Sequence, residues 1–555
     1  LNDLMLNLNR TLYEKHSIMA TVVFSLEKTK GSSLSGYRSG LVFQSVPSLN
    51  LGTAESATND SGYSDDTRVG IIGRVGYTYN KKYVVQASVR RDASSRFTPE
   101  KRWATFPSVS LAWNLDQEPF MKNISFISGA KLRASWGKLG RDKLDAYQYY
   151  SMVNLDYGYG FNNVQTTGAT ITGMSYEGAG WEANESKDIG LEFYCLKNKL
   201  YFTADYWQKN TVDMLFNQEL PSYSGLRDNT ISINGGEIMN KGLEFELNWK
   251  EKKGELTYSV GTNVSTYKNE VLSWPFGDGV ERIYNLGDPR CFAVEVGHPY
   301  YSFYMIDAIG IWQSDAEIDA ARYHQKNADG TFIYSNGSPV WGWPNYDKSR
   351  PSPGSLKFKD QNNDGTIDDN DRVHKGQRYP KVIIGLNASL EYKGFDLNII
   401  CQGNLGQSAY IYPGQGANSR MKGGSTDQAW AYARWTGDGS TNNTMQPRLS
   451  YDGTNIWFKE QKQPNDAHLH RADYFRIKSA NIGYTFKQSV LKKVGLSSVR
   501  LYVSGFNLHT FTKYPGADPE LGGNYSYDNY SGAGVDRILT YPVPRSYIFG
   551  TQITF

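Results

Sequence analysis

No run of about 18 consecutive apolar residues occurs in the 555-residue chain, which excludes a transmembrane helix. Cysteine is nearly missing: Cys195, Cys291 and Cys401 are too few and too far apart for a disulfide framework or a zinc site. Neither sign of charge is in excess. Lys+Arg 59 against Asp+Glu 56 gives a formal net charge of +3, so nothing points to nucleic acid or to an acidic solvating tail. Helical periodicity is scarce throughout. The opening "LNDLMLNLNRTLYEKHS" has no charged n-region, apolar h-region or cleavage site and reads at once as a strand. We therefore expect an internal or mature piece of a longer product.

What the chain does have is aromatic residues and alternation. Tyr 40, Phe 24 and Trp 13 make 14% of it, and Tyr and Trp suit boundaries between wet and greasy surroundings. The mean hydropathy of −0.55 does not exclude a membrane, because a transmembrane barrel hides its lipid face in every second residue. "YPVPRSYIFGTQITF" ends the chain with Tyr547, Phe549, Thr551, Ile553 and Phe555 on one face and Ser546, Ile548, Gly550, Gln552 and Thr554 on the other. "KLRASWG" (131–137), "GLEFELNW" (242–249) and "SVRLYVSG" (498–505) alternate in the same way. Tight turns are expected at Asn80-Lys81, Lys197-Asn198 and Lys393-Gly394.

Roughly fourteen to sixteen strands are expected, many longer than the mode of about five or six in soluble sheets. The connections are lopsided, short on one side and long on the other at 29–64, 138–185, 268–300, 313–379 and 404–470. That is the pattern of an outer-membrane β-barrel; the alternative is a soluble sandwich or propeller.

Several segments carry a family resemblance. "GRVGYTYNKKYVVQASVRRDASSRFTPEKRWATFPSVSLAWNL" (73–115), "ISGAKLRASWGKLG" (127–140) and "WEANESKDIGLEF" (181–193) come first. "NGGEIMNKGLEFELNW" (234–249), "VGHPYYSFYMIDAIGIW" (296–312), "PGSLKFKDQNNDGTIDDNDR" (353–372) and "YPKVIIGLNASLEYKGFDLNIICQG" (379–403) follow, then the C-terminal block. In this order they resemble SusC/RagA-like TonB-dependent outer-membrane transporters over nearly the whole chain. The resemblance implies an all-β fold, a transmembrane antiparallel barrel of 22 strands in the family, with residues 1–555 supplying the later strands. The family's plug, TonB-contacting segment and N-terminal domain have no counterpart in the sequence. Also implied are a Gram-negative outer-membrane location, energy from the TonB complex, a SusD-like surface lipoprotein as lid, and oligosaccharide or peptide substrates. The terminal strand ending at Phe555 resembles the signal read by barrel-assembly machinery.

Candidate sites are few. Asp360, Asn362, Asp364, Asp368 and Asp371 fall at positions 1, 3, 5, 9 and 12 of a calcium loop, with Gly365 at 6 and the Thr366 carbonyl at 7. Asp371 replaces the usual Glu, which should weaken binding. A structural Ca2+ is one reading; an exposed turn in which Asx side chains bond their own backbone is the other.

Aromatics crowd the long loops: Trp274, Trp341, Trp343, Tyr346, Tyr410, Tyr412, Trp430, Tyr432, Trp435 and Trp457. Trp341, Trp343 and Trp435 are candidates for stacking on sugar rings, although loop packing or contact with the lid is the expected role of any one of them. Glu244 and Glu246 are neighbours on one strand face, so they cannot flank a scissile bond as a glycosidase pair does. With Arg133, Asn248, Arg500 and Gln552 they are expected to line a wet interior. His468 and His470 share a face without a third ligand. No catalytic triad, P-loop or dinucleotide fingerprint is present, so no enzyme activity is expected. A soluble secreted all-β carbohydrate-binding or hydrolytic protein is the alternative from another class, and a barrel adhesin a third.

Overall fold

The computed structural model describes all residues except 1, 42–45, 47, 152, 172, 226–229, 278, 283–290, 328, 346–347, 412–432, 441–444, 449–463, 492–494, 522–533 and 537–542. The chain divides into two compact units. The first holds Leu1–Lys197, Asp205–Asn240 and Leu272–Pro275; the second holds Asn198–Ala204, Lys241–Val271 and Phe276–Phe555.

In the first unit seven long strands follow one another: β1 (Asn2–Leu12), β2 (His16–Tyr37), β3 (Thr58–Tyr79), β4 (Tyr83–Ser94), β5 (Trp103–Asn114), β6 (Ile127–Arg141) and β7 (Glu182–Cys195). Each pairs antiparallel with the next. β8 (Leu200–Val212) and β9 (Glu237–Lys253) contribute residues to both units. The second unit continues with β10 (Leu256–Thr266), β11 (Val382–Tyr392), β12 (Phe395–Leu405), β13 (Tyr474–Thr485), β14 (Ser498–Thr512) and β15 (Ser546–Thr554). There, too, every strand from β9 onward pairs antiparallel with its successor.

Register explains why alternation was so clear in the sequence. Directly paired residues share a face. One row of the first unit runs Leu8, Ala20, Val75, Ala87, Val109 and Trp136. The row beside it, on the other face, runs Asn7, Thr21, Arg74, Ser88, Ser108 and Gly137. In the second unit Leu390, Leu397, Ile482, Val503 and Phe549 line up on one face, and Ser389, Asn398, Asn481 and Ser504 on the other. The aromatic set of the C-terminal strand lies on the apolar side, as expected.

All three expected turns have left-handed backbone. Asn80 and Lys81 have φ of 51° and 57°, Lys197 and Asn198 59° and 63°, Lys393 and Gly394 49° and 92°. Another such turn, at Tyr13 and Glu14, carries neither Asn nor Gly. Its composition hid it.

The lopsided connections are present with different bounds. β2 and β3 stay paired out to Tyr37 and Thr58, so the expected 29–64 loop shrinks to 38–57. Beyond the apolar zone these strands are rich in Ser, Gly and Asp on both faces, which leaves no period-two signal. Within 138–185 a further hairpin forms, Val153–Phe161 with Val164–Ile171, turning at Asn162 and Asn163. The protein's interior packing sits mostly in the long connections of the second unit. Ile306, Ile311, Leu356, Phe358 and Ile367 form one cluster; Cys291, Phe292, Phe303, Met305, Tyr410 and Val535 form another. The strands leave large apolar side chains uncovered, among them Leu111, Ile189, Ile482 and Phe549. No described helix is long and apolar enough to cross a membrane.

Candidate functional site

The polar strand face carries ion pairs between strands. Arg133 on β6 reaches Asp188 at 2.9 Å and Glu192 at 3.0 Å on β7, and Asp205 on β8 at 2.6 Å. Gly190 opens the space for this. A Cβ built there would lie 1.8 Å from an Asp205 carboxylate oxygen. Arg500 on β14 binds Asp396 on β12 and donates to Asn481 on β13. Arg133 and Arg500, assigned to a wet interior from sequence, thus stand in ion-pair networks on the non-apolar face. Gln552 is paired with Arg500 across β14 and β15. Glu244 and Glu246 lie on that face as well, both exposed, and Glu246 accepts from Asn248.

Near the short turns, aromatic groups on the apolar face are tied to carboxylates. Glu118 accepts from the Tyr83 hydroxyl at 2.7 Å, Lys82 at 3.0 Å and the Trp113 indole at 3.1 Å. Those hydrogen bonds, Tyr83's first, hold its carboxyl below the usual range. Glu251 likewise accepts hydrogen bonds from Lys199 and the Tyr258 hydroxyl. An apolar ring with its polar tip anchored suits a membrane–water boundary.

The Asp-rich loop is built on its own backbone. Asp360 accepts from Gly365 N, Asn362 from Asp364 N, Asp364 from Thr366 N and Asp368 from Asn370 N. Asp371, fully buried, accepts from Gln361 N and Asp368 N and closes a capping box on Asp369–Asp371. Burial raises its carboxyl above the usual range, with Asp360 and Asp368 adding to the effect and those backbone bonds opposing it. Ile367 anchors the loop in the apolar cluster, and Tyr323 donates to the Gly365 carbonyl. Burial, with Asp360 and Asp364 close by, pushes the Tyr323 hydroxyl up to about 12. One oxygen of Asp360, Oδ1, is buried with no hydrogen-bond partner. The buried, unpartnered Asp360 oxygen is suited to a hard cation such as calcium, but no three of the loop's carboxylates bring ligand atoms within 4.8 Å of one another.

The loop aromatics divide. Trp343 donates to Ile318 O and Trp435 to Gln313 Oε1, the latter packed against the Ile306 cluster; both serve the loop's own packing. Tyr410 is fully buried. Trp274 stacks on Phe216 at 5.4 Å. Trp341 stays the most open of the three candidates, with His324 against it at 3.8 Å and the Arg322 guanidinium 4.3 Å from its ring centre. Tyr346, Tyr412, Trp430, Tyr432 and Trp457 lie outside the described residues. His468 is buried and His470 half-buried, and among the described residues neither belongs to a three-ligand group.

With this geometry in view, the relatives are informative. A family profile described as TonB dependent receptor-like, beta-barrel, matches residues 4–347. TonB-dependent receptor P3 of Formosa agariphila is 29% identical over 551 residues, covering 97% of this chain and 51% of that protein. TonB-dependent receptor SusC of Bacteroides thetaiotaomicron is 25% identical over 508 residues, 88% of this chain and 44% of SusC. The solved RagAB peptide transporter superposes with a TM-score of 0.77 at 20% identity, over 100% of this chain and 55% of that one. The chain thus spans about half the length of the relatives it matches. It belongs to the TonB-dependent receptor-like β-barrel family, as part of a transmembrane β-barrel of the outer membrane.

Proposed function

We propose that this barrel forms the wall of a TonB-energised importer for oligosaccharides or oligopeptides handed over by a SusD-like lid lipoprotein. The observation that carries the reading is the two-faced strand set. Its apolar rows suit hydrocarbon, and its Arg133 and Arg500 networks suit a wet passage. Among the described residues β1 pairs only with β2 and β15 only with β14, and in lipid such edges require closure by further strands. The family is one of transporters, which speaks against an enzyme. The soluble-lectin alternative lacks support, since it would leave the rows through Leu111 and Ile482 bare to water.

Uptake of labelled oligosaccharide and oligopeptide pools, with and without TonB and the lid protein, tests the proposal. Uptake lost without TonB supports it. A purified protein that stays monodisperse without detergent overturns it.

We also propose that Asp360, Asn362, Asp364, Asp368 and Asp371, with the Thr366 carbonyl, hold a Ca2+ that braces the long connection between β10 and β11. The unpartnered Asp360 oxygen supports this. A calcium chelator should then loosen the loop, and an unchanged proteolysis pattern after chelation would sink the idea.

A further inference from the structure

Three chemistry-bearing side chains meet at a place that none of the preceding readings uses. In the second unit, Glu295, His298 and His374 each offer a ligand atom, and the three atoms lie within 4.8 Å of one another. It is the one such group of His, Cys, Asp and Glu found among the described residues.

The backbone builds the group. Glu295 and His298 are the first and last residues of a tight turn closed by His298 N donating to Glu295 O at 3.2 Å. Gly297 holds the third position at φ 85°, a conformation that side chains other than glycine's rarely adopt. The C-terminal half of the turn is fixed to one buried residue: Gly297 N donates to Val271 O, and Val271 N to His298 O, each at 2.9 Å. His374 enters from the strand Arg372–Gly376, where it is paired with Tyr304. The site therefore joins three separate stretches of chain.

The side chains stand close enough to share a cation after a small rearrangement. His374 Nε2 and Glu295 Oε2 are 2.6 Å apart, and His374 Nδ1 and Ser302 Oγ are 2.6 Å apart. Ser302 fixes the ring while able to donate or accept, so it can accept a hydrogen bond from Nδ1–H and leave the Nε2 lone pair to act as a ligand. His298 lies face to face on His374, with ring centres 3.7 Å apart and planes 12° apart, and its Nε2 is 4.0 Å from Glu295 Oε2. Its side chain is 42% exposed against 14% for His374. It is the arm free to tilt out of the stack, which parallel rings must do before both lone pairs can meet at one ion.

We propose that Glu295, His298 and His374 bind a borderline divalent cation, with Zn2+ as the expected ion. Two imidazoles and one carboxylate are a zinc-type donor set, and a fourth position stays open to water. Zinc bonds of about 2.0–2.2 Å require donor atoms roughly 3.3 Å apart, so His374 Nε2 and Glu295 Oε2, now 2.6 Å apart, must part by about 0.7 Å. The ion pins the 295–298 turn to the strand carrying His374, bracing the same long connection as the Asp-rich loop, through nitrogen rather than oxygen ligands.

The test uses the intact, untagged outer-membrane protein in detergent, stripped of metal and kept in millimolar Ca2+, titrated with Zn2+ alone. One equivalent is expected to bind at micromolar concentration despite the calcium, and His298→Ala and Glu295→Gln should each weaken binding at least about tenfold. Both substitutions fall at partly exposed side chains, and heat-modifiable gel migration checks that each variant keeps the folded barrel. Failure of the native protein to take up one equivalent below about 0.1 mM, a far weaker limit than zinc sites show, overturns the proposal. So does either folded variant binding as tightly as the native protein.

Discussion

Arg476 on β13 and Asp518, in the connection after β14, form an ion pair at 2.6 Å with side chains only 3% and 8% exposed. Arg476 also donates to Glu520 at 2.9 Å and to Thr510 at 2.8 Å. A strand residue thus holds a returning loop against the polar face. Removing Arg476 leaves Asp518 buried without its cation. Arg476→Ala should cost about 3–5 kcal/mol of local stability, while Lys478→Ala, whose pair with Glu520 is more than one-third exposed, should cost under about 1 kcal/mol. Limited proteolysis of the 513–521 segment in folded protein measures both.

Glycine positions give a second contrast. Gly190 makes room for Arg133 to reach Asp205, whereas a Cβ at Gly73 would meet nothing within 4 Å. Gly190→Ala should therefore split the Arg133 network and lower the fraction of assembled, heat-modifiable barrel. Gly73→Ala should leave that fraction unchanged.

Acid should release the boundary anchor at Glu118. Its carboxyl is held below the usual range, so its contribution is complete above the ordinary carboxylate pKa and is lost as pH falls through the lowered one. Trp113 donates to this carboxylate. Its emission should shift on acidification in the native protein, and Glu118→Gln should abolish that acid-dependent change.

How far the fold was readable depended on what each residue faces. β14 and β15 could be placed by eye, because Val499, Leu501 and Val503 must meet a different medium from Arg500 and Ser504. The same physics fixed the turns at Asn80-Lys81 and Lys393-Gly394, where left-handed backbone selects Asn and Gly. The outer halves of β2 and β3 were invisible, since past the lipid zone both faces are polar and no alternation survives. Within the candidate sites, the spacing of Asp360 to Asp371 was legible because one loop supplies every ligand. The His298–His374 group was not, because His374 lies far along the chain from the 295–298 turn and strand pairing, Phe292 with Phe303 and Tyr304 with His374, brings them together. The fates of Trp343 and Trp435 were hidden for the same reason: their partners, Ile318 and Gln313, are tertiary neighbours.

Neighbouring positions on one strand should respond in opposite ways to the same substitution. Leu111 on β5 pairs with Val85 and Ala134 on the apolar face, and Ser110 pairs with Gln86 and Ser135 on the polar one. An arginine at 111 must bring its charge into hydrocarbon or drag water and headgroups inward. Leu111→Arg should cost about 2–4 kcal/mol if the position lies near the bilayer midplane. At 110 the guanidinium enters a wet space already holding Arg74 and Gln86, hydrogen-bonded to each other, so Ser110→Arg should stay within about 0.5 kcal/mol of the native barrel. Denaturant unfolding in lipid vesicles reads both. Equal costs at the two positions would mean that the strand faces are not divided between lipid and water, because a single-residue step along β5 is all that separates them.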